Sequence, residues 1–167
     1  MKLRKLERTD AALMLEWMHD SDVVKYMQAD FEHKTLNDCE KFIDSSQKDS
    51  HNLHLAIVDD DEIYMGTVSL KNIENDTAEF AITVRKSAMG KGFSKYAMSE
   101  IIRIGFEKLK LKSIYWYVSP ENKRAVKFYD KNGYMRIDFG KLNNSREEYT
   151  PQQLQHYIWY QVTHCTV

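Results

Sequence analysis

Residues 77–95 read Thr-Ala-Glu-Phe-Ala-Ile-Thr-Val-Arg-Lys-Ser-Ala-Met-Gly-Lys-Gly-Phe-Ser-Lys, and this stretch decides the fold. Thr77 to Val84 is β-rich and alternates, setting Glu79, Ala81 and Thr83 against Phe80, Ile82 and Val84 on opposite faces of a strand. Beyond Gly92, Met98, Ile101, Ile102, Gly105, Phe106 and Leu109 recur at helical spacing. The chain therefore passes from a strand through a glycine turn into a helix. Such a turn aims backbone N–H groups and the positive end of a helix dipole at one point, which suits a phosphate or pyrophosphate. Two glycines one residue apart are a weak signal alone, since many helices start this way for conformational reasons.

The following residues sharpen the reading. Lys112 to Ser119 (Lys-Ser-Ile-Tyr-Trp-Tyr-Val-Ser) predicts another strand, and Pro120 to Tyr134 a helix ending at Asn132-Gly133. Ser119 is the expected N-cap with Pro120 at the first helical position, which aligns Asn122, Val126 and Tyr129 on one stripe. The turn Met89-Gly90-Lys91-Gly92-Phe93-Ser94 and the run Asn122-x-x-Ala-x-x-x-Tyr-x-x-x-Gly-Tyr134 resemble two motifs of the GNAT family of acetyl-CoA-dependent N-acetyltransferases. Those motifs are Arg/Gln-x-x-Gly-x-Gly/Ala and Asn-x-x-Ala-x-x-x-Tyr-x-x-x-Gly-Phe. Met89, Ser94 and Tyr134 depart from them. Because the family's turn holds pyrophosphate through backbone amides, these departures weaken the pattern more than the chemistry, and Lys91 and Lys95 offer compensating charge. The details are most similar to the branch of diamine, ribosomal-protein and amino-sugar acetyltransferases.

The resemblance implies a mixed α/β sheet of about seven strands, splayed between the fourth and fifth, with helices on both faces. Acetyl-CoA would enter the splay, its arm hydrogen-bonding the strand backbone at Ile82, Thr83 and Val84, its pyrophosphate on residues Met89, Gly90, Lys91, Gly92, Phe93, Ser94 and Lys95. Asn122 would bind the arm. Tyr129 would protonate the departing thiolate, which is chemically reasonable for a phenol of pKa about 10 beside a thiol of about 8.5. Glu79 occupies a strand position where the family often carries a carboxylate, as the base that deprotonates the incoming ammonium. The alternatives for Glu79 are a solvent-facing residue or one that orients a cationic substrate; His19, His51 and His54 are weaker base candidates. On spacing alone, Tyr129 is a half-buried aromatic of an amphipathic helix.

Upstream, Lys2 to Leu6 reads as a first strand, and Thr9-Asp10 caps a helix through His19. Ser21-Asp22 caps a short helix over Val23 to Met27, and Thr35 with Asp38 starts another running to about Gln47. In the family the segment matching residues 17–45 walls the acceptor pocket, so Trp17, Tyr26, Met27 and Phe31 are candidate substrate contacts, although apolar residues at helical spacing usually serve the core. Leu53 to Val58 and Ile63 to Leu70 form a hairpin, with the acidic run Asp59 to Glu62 as its turn; it lacks a calcium-loop spacing. A sixth strand is expected to about Phe139, then a polar interval from Gly140 to Gln153, and a closing strand over Leu154 to Val162 antiparallel to the sixth.

A chain of 167 residues with 43% hydrophobic content predicts one domain with one closed core. A net charge of −1 gives no general attraction to nucleic acid or an anionic membrane. No apolar run reaches the roughly 20 residues of a membrane span, and no signal peptide precedes the first strand, so a cytoplasmic protein is expected. Cys39 and Cys165 suit reduced thiols, and no Cys/His spacing suggests a metal. The expected partner is a small-molecule or peptide amine. Acidic residues Glu16, Asp20, Asp22, Asp30 and Glu32 would suit a polyamine, an aminoglycoside or a basic peptide terminus; Trp17, Tyr26 and Phe31 would suit an amino sugar. Tyr157 to Tyr160 offers a possible homodimer contact. A catalytically inactive acetyl-CoA-binding module remains the alternative to an enzyme, whereas a nucleotide hydrolase is excluded because Gly-x-x-x-x-Gly-Lys-Ser/Thr is absent.

Overall fold

A computed structural model describes residues 1–138 and 150–164. Its centre is a seven-stranded sheet in the order β1-β2-β3-β4-β5-β7-β6. The strands are β1 (Lys2–Lys5), β2 (Leu53–Val58), β3 (Tyr64–Glu74), β4 (Thr77–Val84), β5 (Ser113–Val118), β6 (Met135–Ile137) and β7 (Ile158–Thr163). All neighbours are antiparallel except β4 and β5, which run parallel. The acidic run between β2 and β3 is a turn: Asp59 Oδ1 accepts from the backbone N–H groups of Asp61 and Ile63.

Alternation along the strands separates two cores. Leu53, Leu55 and Ile57 face a cluster with Val68, Leu70, Phe80 and Ile114, covered by α4 (Phe93–Glu107) and α5 (Lys123–Lys131). Helix α4 lies close on the sheet because Gly105 has no side chain; a Cβ there would sit 2.7 Å from Ile114 Cδ1. Ala56, Val58 and Tyr64 face the other cluster, built with Met14 and Trp17 of α1 (Ala11–Met18), Val23 of α2 (Ser21–Val24), and Cys39 and Ile43 of α3 (Leu36–Ser46). Helices therefore cover both faces. The start of α3 is a reciprocal capping box: Asp38 N–H donates to Thr35 Oγ1 at 3.3 Å and Thr35 N–H to Asp38 Oδ2 at 2.9 Å.

Three local expectations change. Helix α5 begins at Lys123 rather than Pro120, because Asn122 rather than Ser119 supplies the cap, its Oδ1 accepting from Ala125 N–H at 3.2 Å. Asp20 caps α2, accepting from Asp22 N–H, in place of Ser21-Asp22. The closing strand begins at Ile158 rather than Leu154, because a short helix, α6 (Pro151–His156), precedes it; β7 then pairs antiparallel with β6, as expected, and also with β5. The expected end of the sixth strand at Phe139, most of the polar interval, and Cys165 lie outside the described residues.

The feature that positions the site is the seam between β4 and β5. Their register covers Thr77↔Ser113, Ala78↔Ile114 and Glu79↔Tyr115, and there it stops. Among the described residues, Phe80–Val84 continue pairing only with β3, and Trp116–Val118 only with β7. The two strands thus diverge and open a gap between them.

Candidate active site

At the open end of the gap lies the glycine turn. Gly90 and Gly92 have φ of +76° and +89°, a region open to glycine but strained for residues with a side chain. Gly92 is also the N-cap of α4, and no side chain caps that helix, whereas Thr35 and Asn122 cap α3 and α5. The first intrahelical bond runs from Tyr96 N–H to Gly92 O at 3.0 Å. Helix geometry leaves the N–H groups of Phe93, Ser94 and Lys95 without intrahelical acceptors, so they suit an anion. Lys91 and Lys95 are exposed beside them. Met89, which stands where the family favours Arg or Gln, packs its thioether against the Arg124 guanidinium of α5. These residues fit a pyrophosphate, and the free edge of β4 at Ile82, Thr83 and Val84 fits an amide-bearing arm.

Tyr129 projects from α5 into an aromatic cluster at the start of the divergence. Its ring centroid is 5.3 Å from that of Trp116, the first β5 residue beyond the seam, and 5.1 Å from Tyr160. Burial, together with the neighbouring Tyr160 and Tyr134, pushes the phenol's pKa well above its ordinary value. The group therefore keeps its proton through the physiological range. Asn122 sits at the N-terminus of the same helix. Its Oδ1 is engaged as the cap, which leaves the amide NH2 to serve a carbonyl of the arm.

On the opposite face of the sheet, α1 and α3 with strands β2, β3 and β4 enclose a cavity of about 290 Å³. Trp17 and Phe31 line it as expected, in an edge-to-face pair with centroids 5.3 Å apart, and Trp17 Nε1–H donates to Tyr64 Oη at 3.0 Å. Tyr26 and Met27 are not among its lining residues: Tyr26 is exposed, with the Lys25 ammonium 4.9 Å from its ring, and Met27 packs on the core. Ile82 and Thr83 do line the cavity, so the edge facing the gap also borders the acceptor side.

Glu79 stands on the last rung of the seam at 2% exposure, and its carboxylate meets Lys71 Nζ at 2.7 Å. The solvent-facing alternative is thereby corrected, and Glu79 is not among the lining residues of the cavity. His54 lies within β2, as expected, and has a specific partner, its Nδ1 being 2.7 Å from Ser69 Oγ. Both line the cavity, as do Met14, Met18 and Phe42, which the sequence reading did not single out. Strand alternation was the available signal, since His54 shares its face with Ala56 and Val58.

Residues 1–135 match the model of the acetyltransferase (GNAT) domain family. The chain is 26% identical over 140 residues to the acetyltransferase PseH of Campylobacter jejuni, covering 82% of this chain and 84% of that protein. It is 30% identical over 152 residues to the uncharacterized N-acetyltransferase p20 of Bacillus licheniformis, covering 81% and 82% of the two. The crystal structure of the Vibrio cholerae spermidine N-acetyltransferase in complex with CoA and spermine superposes with a TM-score of 0.80 at 22% identity, covering 99% of this chain and 96% of the other. The arrangement of glycine turn, splayed seam and flanking cavity accordingly has an identity: the chain belongs to the GNAT acetyltransferase family, and acetyl-CoA is its acyl donor.

Proposed function

We propose that the enzyme acetylates a primary amine on a weakly charged, ring-bearing acceptor such as an amino sugar, and that a polyamine is not its preferred substrate. The observation that carries this reading is the charge of the acceptor cavity. Among the described residues its lining holds one carboxylate, Asp38, and one ammonium, Lys34. The carboxylate accepts hydrogen bonds from the N–H and hydroxyl of Thr35, which hold its pKa below the usual range. Four of the five acids that would attract a polycation are engaged elsewhere, Glu16 with Arg85 at 2.9 Å, Asp22 with Lys86 at 2.7 Å, Asp30 with His33 at 2.9 Å, and Asp20 as a helix cap, and Glu32 is exposed and not among the residues lining the cavity. Burying several ammonium groups without free carboxylates is costly. Trp17, Phe31 and Phe42 instead offer the apolar faces on which a sugar ring rests.

Acetyl-CoA supplies an activated thioester carbonyl for direct attack by the amine. The chain's own groups do the rest. The N–H groups of Phe93 to Lys95 and the side chains of Lys91 and Lys95 hold the pyrophosphate, and the β4 edge at Ile82 to Val84 with the Asn122 amide aligns the arm. Tyr129 keeps a proton in a dry aromatic setting and delivers it to the sulfur as the C–S bond breaks. The amine reaches the carbonyl from the cavity side, where Ile82 and Thr83 border both compartments.

A thiol-release assay across amino sugars, diamines, polyamines, aminoglycosides and peptides tests the acceptor class. The highest kcat/KM is expected for an amino sugar. A kcat/KM for spermidine equal to or above that of every sugar amine would overturn the assignment.

The donor site has its own test in Gly92→Val. Space is not the obstacle, since a Cβ at this position would have Met1 Cε as its nearest neighbour, 3.9 Å away. The strain is conformational: a β-branched residue resists φ of +89°, at a cost of about 1–2 kcal/mol, and its bulk stands where the phosphates approach. The turn itself therefore shifts, rather than staying intact behind a blocked surface. Calorimetry is expected to show at least tenfold weaker acetyl-CoA binding with a modest loss in Tm, and parental affinity would remove the pyrophosphate from this turn.

A further inference from the structure

We propose that His54 and Ser69 form the proton acceptor for the incoming amine, with the Ser69 hydroxyl relaying the proton to His54 Nδ1. The inference rests on the acetyl-transfer reading above and assigns the step that follows acceptor binding. Three residues lie side by side across the sheet: His54 on β2 pairs with Ser69 on β3, and Ser69 with Ala81 on β4. All three line the acceptor cavity. Strands are about 4.8 Å apart, so the row reaches from the imidazole to the margin of the seam in two strand spacings. Ala81 lies in the part of β4 beyond the last rung with β5, and its methyl group leaves the space above it open to a substrate.

In this arrangement Ser69 O–H donates to an unprotonated Nδ1 while Ser69 Oγ accepts from the ammonium. An N–H bond of the ammonium breaks, its proton joins Ser69 Oγ, and the hydroxyl proton moves to His54 Nδ1. The products are a neutral amine with a free lone pair, a regenerated hydroxyl and an imidazolium, which returns its proton to water after the acetamide leaves. Burial lowers the His54 pKa below its ordinary value; Asp49 opposes that shift and Lys71 adds to it. The ring of Phe42 packs edge-on at 4.9 Å. The other charged or titratable groups nearby are Lys34, Asp38 and Cys39 on the cavity wall, while Lys71 is itself paired with Glu79. At neutral pH the imidazole is uncharged and ready to accept. Glu79 is buried, ion-paired to Lys71 and not among the residues that line the cavity.

The test is the pH dependence of kcat/KM for the best acceptor, in the parent, His54→Gln, Ser69→Ala and Glu79→Gln. The parent should lose activity as pH falls through the lowered His54 pKa, because the imidazolium cannot accept. His54→Gln should lose roughly 10²-fold at neutral pH, and the deficit should shrink toward alkaline pH, where the amine arrives deprotonated. Ser69→Ala should show the same convergence, and it tests the relay even if His54→Gln folds poorly. Acetyl-CoA affinity should hold in both. A deficit equal at every pH in both variants would make the pair structural and overturn the proposal, as would convergence confined to Glu79→Gln. Transfer by the parent with unchanged profiles in both variants would overturn the relay alone. Acetyl-CoA binding without transfer to any amine would overturn the underlying reading and the relay with it.

Discussion

Replacing Tyr129 by Phe is expected to lower kcat by about 10²- to 10⁴-fold while acetyl-CoA binding stays at the parental level. The ring is what packs: its contacts to Trp116, Tyr160, Phe128 and Tyr134 are all face or edge contacts that phenylalanine retains. What is lost is a buried proton whose pKa the surroundings have raised. A thiolate leaving into the same dry cluster is also deprived of water, so its own proton affinity rises alongside that of the phenol. Steady-state and single-turnover kinetics separate the outcomes. A fall in acetyl-CoA affinity alone would assign the hydroxyl to positioning. An unchanged kcat, with chemistry shown to be rate-limiting, would leave protonation of the sulfur to water or to the acceptor.

The second large effect is expected at Trp116→Ala, on stability. Trp116 is 1% exposed and sits at the hub of Phe80, Tyr129, Tyr134 and Tyr160, stacked on Tyr160 at 8° with centroids 5.6 Å apart. Truncating a buried tryptophan costs about 3–5 kcal/mol, a large share of a typical total of about 5–15. For a chain of this size that corresponds to a Tm lowered by about 6–20 °C. Trp116→Phe should cost much less, because it keeps an aromatic wall and removes an indole N–H that has no partner among the described residues. Differential scanning calorimetry of the two variants distinguishes a structural hub from a replaceable filler. Equal and small losses would show that the cluster can collapse around the deletion. The alanine variant should also lose turnover, since Tyr129 then lacks the surface that sets its ring.

These two residues illustrate what the amino-acid sequence discloses and what it withholds. Tyr129 was legible because a helix repeats on a fixed pitch, so that Asn122-x-x-Ala-x-x-x-Tyr is a local pattern. Trp116 was visible only as one aromatic in a strand, since its partners come from β4, α5, β7 and the segment before β6. The donor turn was legible for the same reason as Tyr129: Gly90 and Gly92 are near neighbours, and their positive φ is a local requirement. The acceptor cavity was not. Its wall joins two helices to three strands, and the assignment of Trp17 and Phe31 but not Tyr26 depends on where α2 turns. Likewise the acids on the N-terminal helices are legible as charge, whereas the long-range pairing of Arg85 with Glu16 and of Lys86 with Asp22 is not. Charge patterns in a chain state what is available; only the fold states what is already spoken for. The short helix before β7 escaped because the aromatic run Tyr157 to Tyr160 reads as strand and masks the polar turn ahead of it.

The three-rung seam between β4 and β5 carries a further consequence, for the protein's life outside catalysis. Strand edges that lack a neighbour invite pairing with other chains, and proteins ordinarily guard them with charge, proline or a covering helix. Here the two edges face each other across the divergence that opens beyond Glu79 and Tyr115. At its open end, the donor's arm is expected to complete the ladder. Acetyl-CoA is thus expected to act as a conformational guardian as well as a reactant, raising apparent stability by mass action and keeping the gap occupied between turnovers.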